Sequence, residues 1–426
     1  MSGAVWDSSA FSVDRGFSTV RPMNPAASAG SPVRLRGGGD FMSRAKPVRI
    51  VQGECDAVRF RREILPAREP VILRGLLIGQ CLGLWSADYL IEKGGDKDVS
   101  VHVSTEARMD FVNKNFVYRT LPFAELVKRA AYGCRDSSRE GEQSETHQAS
   151  ATGVDESCAD RGHEAGEKCL DEAGGGEKRD SGRSSAPVQE SKEGAPGQVV
   201  AGQDPSEPFF MSPSEKYYLR ALGSDPRKDV ADLKTDFPLL AADFELPQLF
   251  DPEDYFSSVL RVGSPDLHLW THYDTMDNAL AQVVGTKRVV LFPPSDAEAM
   301  YLKGDKSTVL DIDNPDLARF PLFNSTHPFE CTLLPGDLLF IPALWFHNVV
   351  AHDFSVAVNV FWRQLPKNMY ETNDTYGNKD PVPATRAMMS LASALKALST
   401  LPPDHQDFFA RRMVMKIKSS AYVDLP

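Results

Sequence analysis

Between residues 255 and 365 the chain breaks into short runs rich in Val, Leu and Phe: SSVLRVG, DLHLWTHYD, NALAQVVG, KRVVLFPP, ECTLLPGDLLFIP, WFHNVVA and FSVAVNVFW. Gly, Pro, Asp and Asn separate them. Such runs predict β-strands, with hairpins closed by Gly285-Thr286 and by Pro335-Gly336-Asp337. Strands spaced this closely predict a mainly β barrel or jelly roll rather than a parallel α/β sheet. Upstream, REPVILRGLL reads as a strand ending in a Gly turn, and WSADYLIEKGG as a helix closed by Gly94-Gly95. DVSVHVS places Val99, Val101 and Val103 on one face of a strand, and LPFAELVKRAAYG is a second helix. Beyond residue 366 the period is helical. Met388, Leu391, Leu395 and Leu398 share a face, and after Leu401-Pro402-Pro403 so do Phe409, Met413 and Ile417.

Residues 135–207 interrupt this pattern. They contain no Phe, Tyr or Trp and are filled with Gly, Glu, Ser and Ala, too polar to offset the entropy of ordering. They read as a disordered acidic insertion inside one domain, because strand-like sequence resumes at PFFMSPSEKYYLRAL. The expected organisation is a disordered tail over 1–46, a jelly-roll domain over 47–366, and a helical region over 367–426 that either packs on its own domain or forms a homodimer surface. The tail is rich in Ser, Ala, Gly and Arg, a composition shared by transit peptides, although plain disorder is the simpler reading. The net charge of −12 is concentrated partly in the insertion, whereas the amino-terminal third is mildly basic. Six cysteines include no C-x-x-C pair, which points to a reducing compartment, cytoplasmic or nuclear. No apolar run approaches the ~18 residues needed to cross a bilayer, so no membrane partner is expected.

Two His-x-Asp patterns stand out: His272-Tyr273-Asp274 and His405-Gln406-Asp407. Residues two apart on a helix point about 200° away from each other and cannot share a metal. On a strand they point to the same face, about 6.6 Å apart. His405 and Asp407 sit in the helical stretch, and His272 and Asp274 end the run DLHLWTHYD, so only the first pair can converge. Three histidines downstream could complete a site. His327 lies in a polar loop and His352 in a turn, whereas His347 lies inside an apolar strand, where a buried imidazole needs a metal or a hydrogen bond. Two nitrogens and one carboxylate suit non-haem Fe(II). A hydrogen-bonded core histidine is the alternative for His347.

A second polar set shares these strands: Asn278, Lys287 at the start of KRVVLFPP, and Asn359 inside FSVAVNVFW. Such groups facing a small barrel's interior need partners. A carboxylate would satisfy Lys287, a dicarboxylate could reach iron with its other end, and Tyr218 could add a hydroxyl. Taken singly, Lys287 fits an exposed turn equally well.

These residues, with their spacing, resemble the JmjC family of Fe(II)/2-oxoglutarate oxygenases, hydroxylase branch. The stretches LWTHYDTMDN, YLKG, IDNPDLARFPLF, GDLLFIPALWFHNV, DTYGNKDP and FFARRMV look like its tRNA-acting members, from about Arg49 to Lys418 apart from the insertion. The resemblance implies a cupin-like double-stranded β-helix with helices outside and a carboxyl-terminal helical dimerisation region. It implies Fe(II) held by His272, Asp274 and His347, and 2-oxoglutarate held by Tyr218, Asn278, Lys287 and Asn359. With O2, the reaction would hydroxylate amino-carboxypropyl-wyosine in phenylalanine tRNA. A threonine often found three before the first ligand is Leu269 here, as in the tRNA-acting branch. Trp270, Trp345 and Phe346 would form a dry shell. Lys46, Arg49, Arg59, Arg61, Arg62, Arg68, Arg74, Arg261, Arg411 and Arg412 are candidate phosphate contacts. A JmjC protein side-chain hydroxylase is the competing reading, and a non-catalytic cupin-like binding module is the third.

Overall fold

The computed structural model describes residues 42–53, 55–132, 215–245 and 248–422. The acidic insertion and residues 1–41 of the tail lie outside them. The Val- and Leu-rich runs form two sheets. The larger runs, in spatial order, Arg49–Gln52, Val71–Arg74, Asp337–Ile341, Asp277–Val284, Ser355–Trp362, Tyr255–Gly263, Lys216–Arg220, Asp98–Ser104 and Val117–Pro122. The smaller runs Lys46–Pro47, Phe329–Leu333, Lys287–Phe292, Phe346–Ala351 and Leu267–His268. Lys46 already pairs with Phe329, so the fold begins before the boundary expected at Pro47.

Successive strands change sheets, which is the winding of a jelly roll. Asp277–Val284 is in the large sheet and Lys287–Phe292 in the small one. Phe329–Leu333 and Asp337–Ile341 are divided in the same way. Neither expected hairpin exists, therefore: Gly285-Thr286 and Pro335-Gly336-Asp337 are corners between sheets. Gly285 has φ +71, and a Cβ there would lie 2.2 Å from the Phe354 carbonyl oxygen. At the other corner Asp337 accepts from Leu334 N–H at 2.9 Å and from a two-pronged Arg74 guanidinium at 2.6 and 2.7 Å. A turn signal in sequence marks a change of direction without saying whether the next strand pairs with the last.

Alternation decides which side chains meet which core. Along Ser355–Trp362, Val356, Val358, Val360 and Trp362 face outward, where the helices Ala87–Gly94 and Phe123–Tyr132 cover the large sheet through Leu90, Leu126 and Val127. Ser86 caps the first of these helices, accepting from Tyr89 N–H at 3.2 Å. Ala357 and Asn359 face inward, with Leu280, Val289, Leu291, Leu339, Trp345 and Val349 between the sheets. A strand buried on both faces needs a near-continuous apolar run, which is why FSVAVNVFW reads as it does. In the outer core Phe60 meets Phe340 edge to face, centroids 5.1 Å apart, and truncating either to Ala would cost about 3–5 kcal/mol. Sequence from both sides of the insertion meets in one sheet: Lys216–Arg220 pairs with Asp98–Ser104 and with Tyr255–Gly263.

The chain ends in two helices, Val382–Leu398 and Pro403–Ala421, broken at Pro402-Pro403 as expected. They bury none of their residues, and Met388, Leu395, Phe408, Val414 and Met415 are exposed.

Candidate active site

Only Leu267–His268 of the run DLHLWTHYD is regular strand, but pairing resumes beyond it. Leu269 N–H donates to Val349 O at 2.8 Å, and Asn348 donates to Leu269 O at 2.8 Å and to Thr271 Oγ1 at 3.1 Å. An isolated bridge then sets His272 opposite His347. His272 Nδ1 lies 3.1 Å from Trp270 O, and His347 Nδ1 lies 3.2 Å from Trp345 O. A carbonyl only accepts, so each Nδ1 carries the proton and each Nε2 keeps its lone pair free. Burial first, and His347 second, hold the His272 imidazole well below its usual range, so it is neutral, as a metal ligand must be.

Asp274 completes the group. Its Oδ2 lies 3.7 Å from His347 Nε2, and the ligand atoms of His272, Asp274 and His347 all lie within 4.8 Å of one another. Leu344 N–H donates to Asp274 O at 2.8 Å. Three residues on, fully buried Asp277 accepts both prongs of Arg68 at 2.7 and 2.9 Å and Ala343 N–H at 2.9 Å. Two imidazole nitrogens and one carboxylate converging with open positions fit a non-haem iron centre.

Beside the triad is a cavity lined by Tyr218, Arg261, Leu269, Lys287, Val349 and Asn359 as well as both histidines. Lys287 is buried there at 7% exposure and has no ion pair among the described residues. Burial first, and Arg261 second, push its ammonium down to about 7. Arg261 donates to the Tyr218 hydroxyl, and its Nε is buried without a partner. Asn359 donates to Asn278 Oδ1 at 3.0 Å, and Asn278 Nδ2 lies 3.5 Å from Asp274 Oδ2. Asn278 therefore stands behind the Asp274 carboxylate rather than on the cavity wall. Cations, a hydroxyl and an amide around one apolar cavity suit a carboxylate.

Of the three expected shell residues, Trp270 alone borders the triad, its ring stacked on His272 at 5.0 Å and backed by Phe111. Trp345 packs in the inter-sheet core and donates to Arg68 O at 2.8 Å. Phe346 points to the opposite face of its strand, among Val290, Phe292 and Phe323, because neighbours on a strand alternate. His327 and His405 are engaged elsewhere. His327 pairs with Asp296 at 2.8 Å, His405 with Asp404 at 3.2 Å, and Asp407 with Arg411 at 2.8 Å.

The basic candidates divide. Arg68 and Arg74 are each committed to a buried aspartate, and Arg261 is in the cavity, so none of the three is a free surface cation. Arg59, Arg61 and Arg411 form exposed pairs with Glu63, Asp251 and Asp407. Arg49, Arg62 and Arg412 are exposed.

Arg261, expected to meet phosphate, lines the cavity instead, and an arginine inside SSVLRVG carries the same signal as Lys287 and Asn359. The segment DTYGNKDP packs against the ligand loop, a contact that no sequence pattern announces. Asp374 accepts from Tyr376, Gly377 and Lys379 N–H at 3.2, 2.9 and 3.0 Å, which folds the segment tightly. Thr275 then donates to Gly377 O at 3.2 Å and Tyr273 to Asp380 at 3.0 Å, pinning it over the His272–Asp274 loop. Gly377 has φ +71, and a Cβ there would meet Phe256 at 2.7 Å.

A cupin-like domain family matches residues 57–368. A Danio rerio protein called tRNA wybutosine-synthesizing protein 5 is 48% identical over 376 residues, 88% of this chain and 94% of that protein. The Homo sapiens protein of the same name is 45% identical over 364 residues, covering 85% and 93%. A Neurospora crassa protein called tRNA wybutosine-synthesizing protein 4 is 30% identical over 397 residues, 90% of this chain but 26% of that longer protein.

Proposed function

The chain belongs to the cupin-like, JmjC-type family that includes the tRNA wybutosine-synthesizing protein 5 relatives, and from that premise we propose that it acts in wybutosine biosynthesis as an Fe(II)- and 2-oxoglutarate-dependent hydroxylase. Its substrate is the amino-carboxypropyl form of wyosine in phenylalanine tRNA. The observation that carries this reading is the convergence of the His272, Asp274 and His347 ligand atoms beside a cavity holding unpaired Lys287.

His272, Asp274 and His347 would hold Fe(II), which with 2-oxoglutarate and O2 supplies the oxidation that turns a C–H bond into C–OH and releases succinate and CO2. Lys287, with Tyr218, Arg261 and Asn359, receives the far carboxylate of 2-oxoglutarate. Asn278 keeps Asp274 turned toward its histidines. Trp270, Leu269 and Val349 exclude water from the cavity. The two carboxyl-terminal helices, with their exposed Met, Leu and Phe side chains, form a homodimer interface.

The test is 2-oxoglutarate turnover by the purified protein with Fe(II) and phenylalanine tRNA carrying the amino-carboxypropyl base, followed by mass spectrometry of the digested nucleosides. The reading requires a gain of one oxygen on that base, lost in His272→Ala. Turnover that leaves the base unchanged would redirect the search to protein side chains.

A further inference from the structure

Two arginines on the large sheet and Lys287 on the small sheet are more cations than one dicarboxylate can satisfy. Lys287 and Arg261 line the cavity already described. Arg220 lies directly opposite Arg261 in the pairing of Lys216–Arg220 with Tyr255–Gly263. Like charges facing each other across two strands are destabilising unless something joins them. Arg220 and Arg261 have no ion pair among the described residues, and the Nε of each is buried without a partner. One Arg220 nitrogen donates to Tyr376 O at 3.0 Å, with the guanidinium 5.5 Å from that ring's centroid, so one prong is fixed and the rest is free. Burial and Arg261 both work against its charge, and Asp274 favours it. An arginine stays charged, so the arrangement is costly until an anion enters.

The surroundings indicate which anion. Arg220 is two residues beyond Tyr218 and lines a separate crevice of about 220 Å³ with Ser100 and Thr120, so a ligand can reach it. His102, Tyr118 and Tyr218 lie in register across three neighbouring strands on the same face. The Tyr118 ring packs 4.7 Å from His102 and is 44% exposed. Tyr376 is in the segment pinned over Thr275. An arginine between an exposed aromatic ring and the triad suits a flat heterocycle with a negatively charged substituent.

We propose that Arg220 is a specificity-determining residue that binds the carboxylate of the substrate's amino-carboxypropyl side chain, with Tyr118 and Tyr376 flanking the ring system. This assignment rests on the hydroxylase reading above.

The test uses the full chain with Fe(II), 2-oxoglutarate and two tRNAs that differ only in that side chain, one a free carboxylate and one its methyl ester. The wild type should favour the acid over the ester by at least about tenfold in kcat/KM. Arg220→Ala should lose most of that preference through a higher KM for the acid, with the KM for 2-oxoglutarate unchanged. Arg220→Lys should keep part of it. A wild type that treats acid and ester alike overturns the proposal, and that arm decides even if Arg220→Ala fails to fold. So does a variant that weakens both substrates equally with a shallower salt dependence, because Arg220 would then be reading phosphate. A higher KM for 2-oxoglutarate with the acid preference intact would move Arg220 to the co-substrate and overturn it as well. Hydroxylation of neither tRNA by the wild type would instead reject the hydroxylase reading, and this assignment with it.

Discussion

His272 and His347 are hydrogen-bonded to each other through both backbones, at 3.2 and 2.8 Å, and each ring is anchored to the carbonyl two residues before it. The same local device is used twice, on two chain segments facing each other. Ring orientation is thereby fixed by the ladder rather than by loop side chains, and the two free Nε2 atoms point to a common place. Removing a ligand should cost metal without costing the fold. At a metal concentration 100 times its Kd, the wild type should gain about 2.7 kcal/mol of stability. Asp274→Ala and His347→Ala should gain none, as measured by thermal melts with and without Fe(II) or Ni(II).

Lys287 makes co-substrate binding depend on pH. The free protein's ammonium titrates at about 7, and a carboxylate binds only the charged form. Affinity for 2-oxoglutarate should be flat below pH 7 and fall up to about tenfold per unit above it, with proton uptake visible by calorimetry in buffers of different ionisation enthalpy. In the free protein the shift has the opposite sign for stability. The unfolded chain holds the proton up to 10.5, so the fold gains stability as pH rises from about 7 toward that value. Lys287→Met should abolish both effects.

Asp277 is the buried hinge pin of the ligand loop. Asp277→Ala leaves Arg68 and Ala343 N–H unanswered and should cost about 3 kcal/mol, the low end for breaking a buried pair because Arg68 is 36% exposed. Urea denaturation measures it. A metal titration on the same variant should show weaker binding, since the Asp274 loop loses its anchor three residues away.

The carboxyl-terminal helices give a separate prediction. Met415 and Phe408 are 71% and 61% exposed, and Met415→Lys or Phe408→Asp should convert a dimer to a monomer in light scattering while leaving the jelly roll folded. A wild type that is already monomeric would remove the interface from consideration.

For tRNA, the exposed arginines are the ones to reverse. Arg49→Glu and Arg62→Glu should each weaken binding and lower the log–log salt slope by about 1 per lost phosphate contact. Arg74→Gln should act through stability instead, because its charge is spent on Asp337.

Much of this was legible before any coordinates. His347 and Asn359 stand out as polar residues embedded in apolar strands, and His272 and Asp274 as a same-face pair at a strand end, whereas Lys287 at the start of its run fits an exposed turn equally well. The same logic applied to Arg261 would have found it, but a cation near a nucleic-acid enzyme's site reads first as a phosphate contact. Phe346 was misplaced because composition says that a residue is buried without saying on which face. The corners at Gly285 and Gly336 read as hairpins in sequence because turn chemistry is local, whereas sheet membership depends on strands far away in the chain. The segment Asp374 to Asp380 carries no apolar period at all; its structure comes from one aspartate collecting three backbone N–H groups.

The pinning of that segment to the ligand loop has a consequence for the order in which the molecule comes into being. Chains emerge from the ribosome amino terminus first. Arg68, His272 and Asn278 are made well before their partners Trp345, His347 and Asn359, and Tyr376 and Asp380, which meet Arg220 and Tyr273, come later still. A nascent chain that stops before Asp374 carries all three ligands but lacks the segment that braces their loop. The ligand loop is therefore among the last parts of the domain to be braced, and a chain truncated short of that segment has its ligands without the contacts that hold Tyr273 and Thr275.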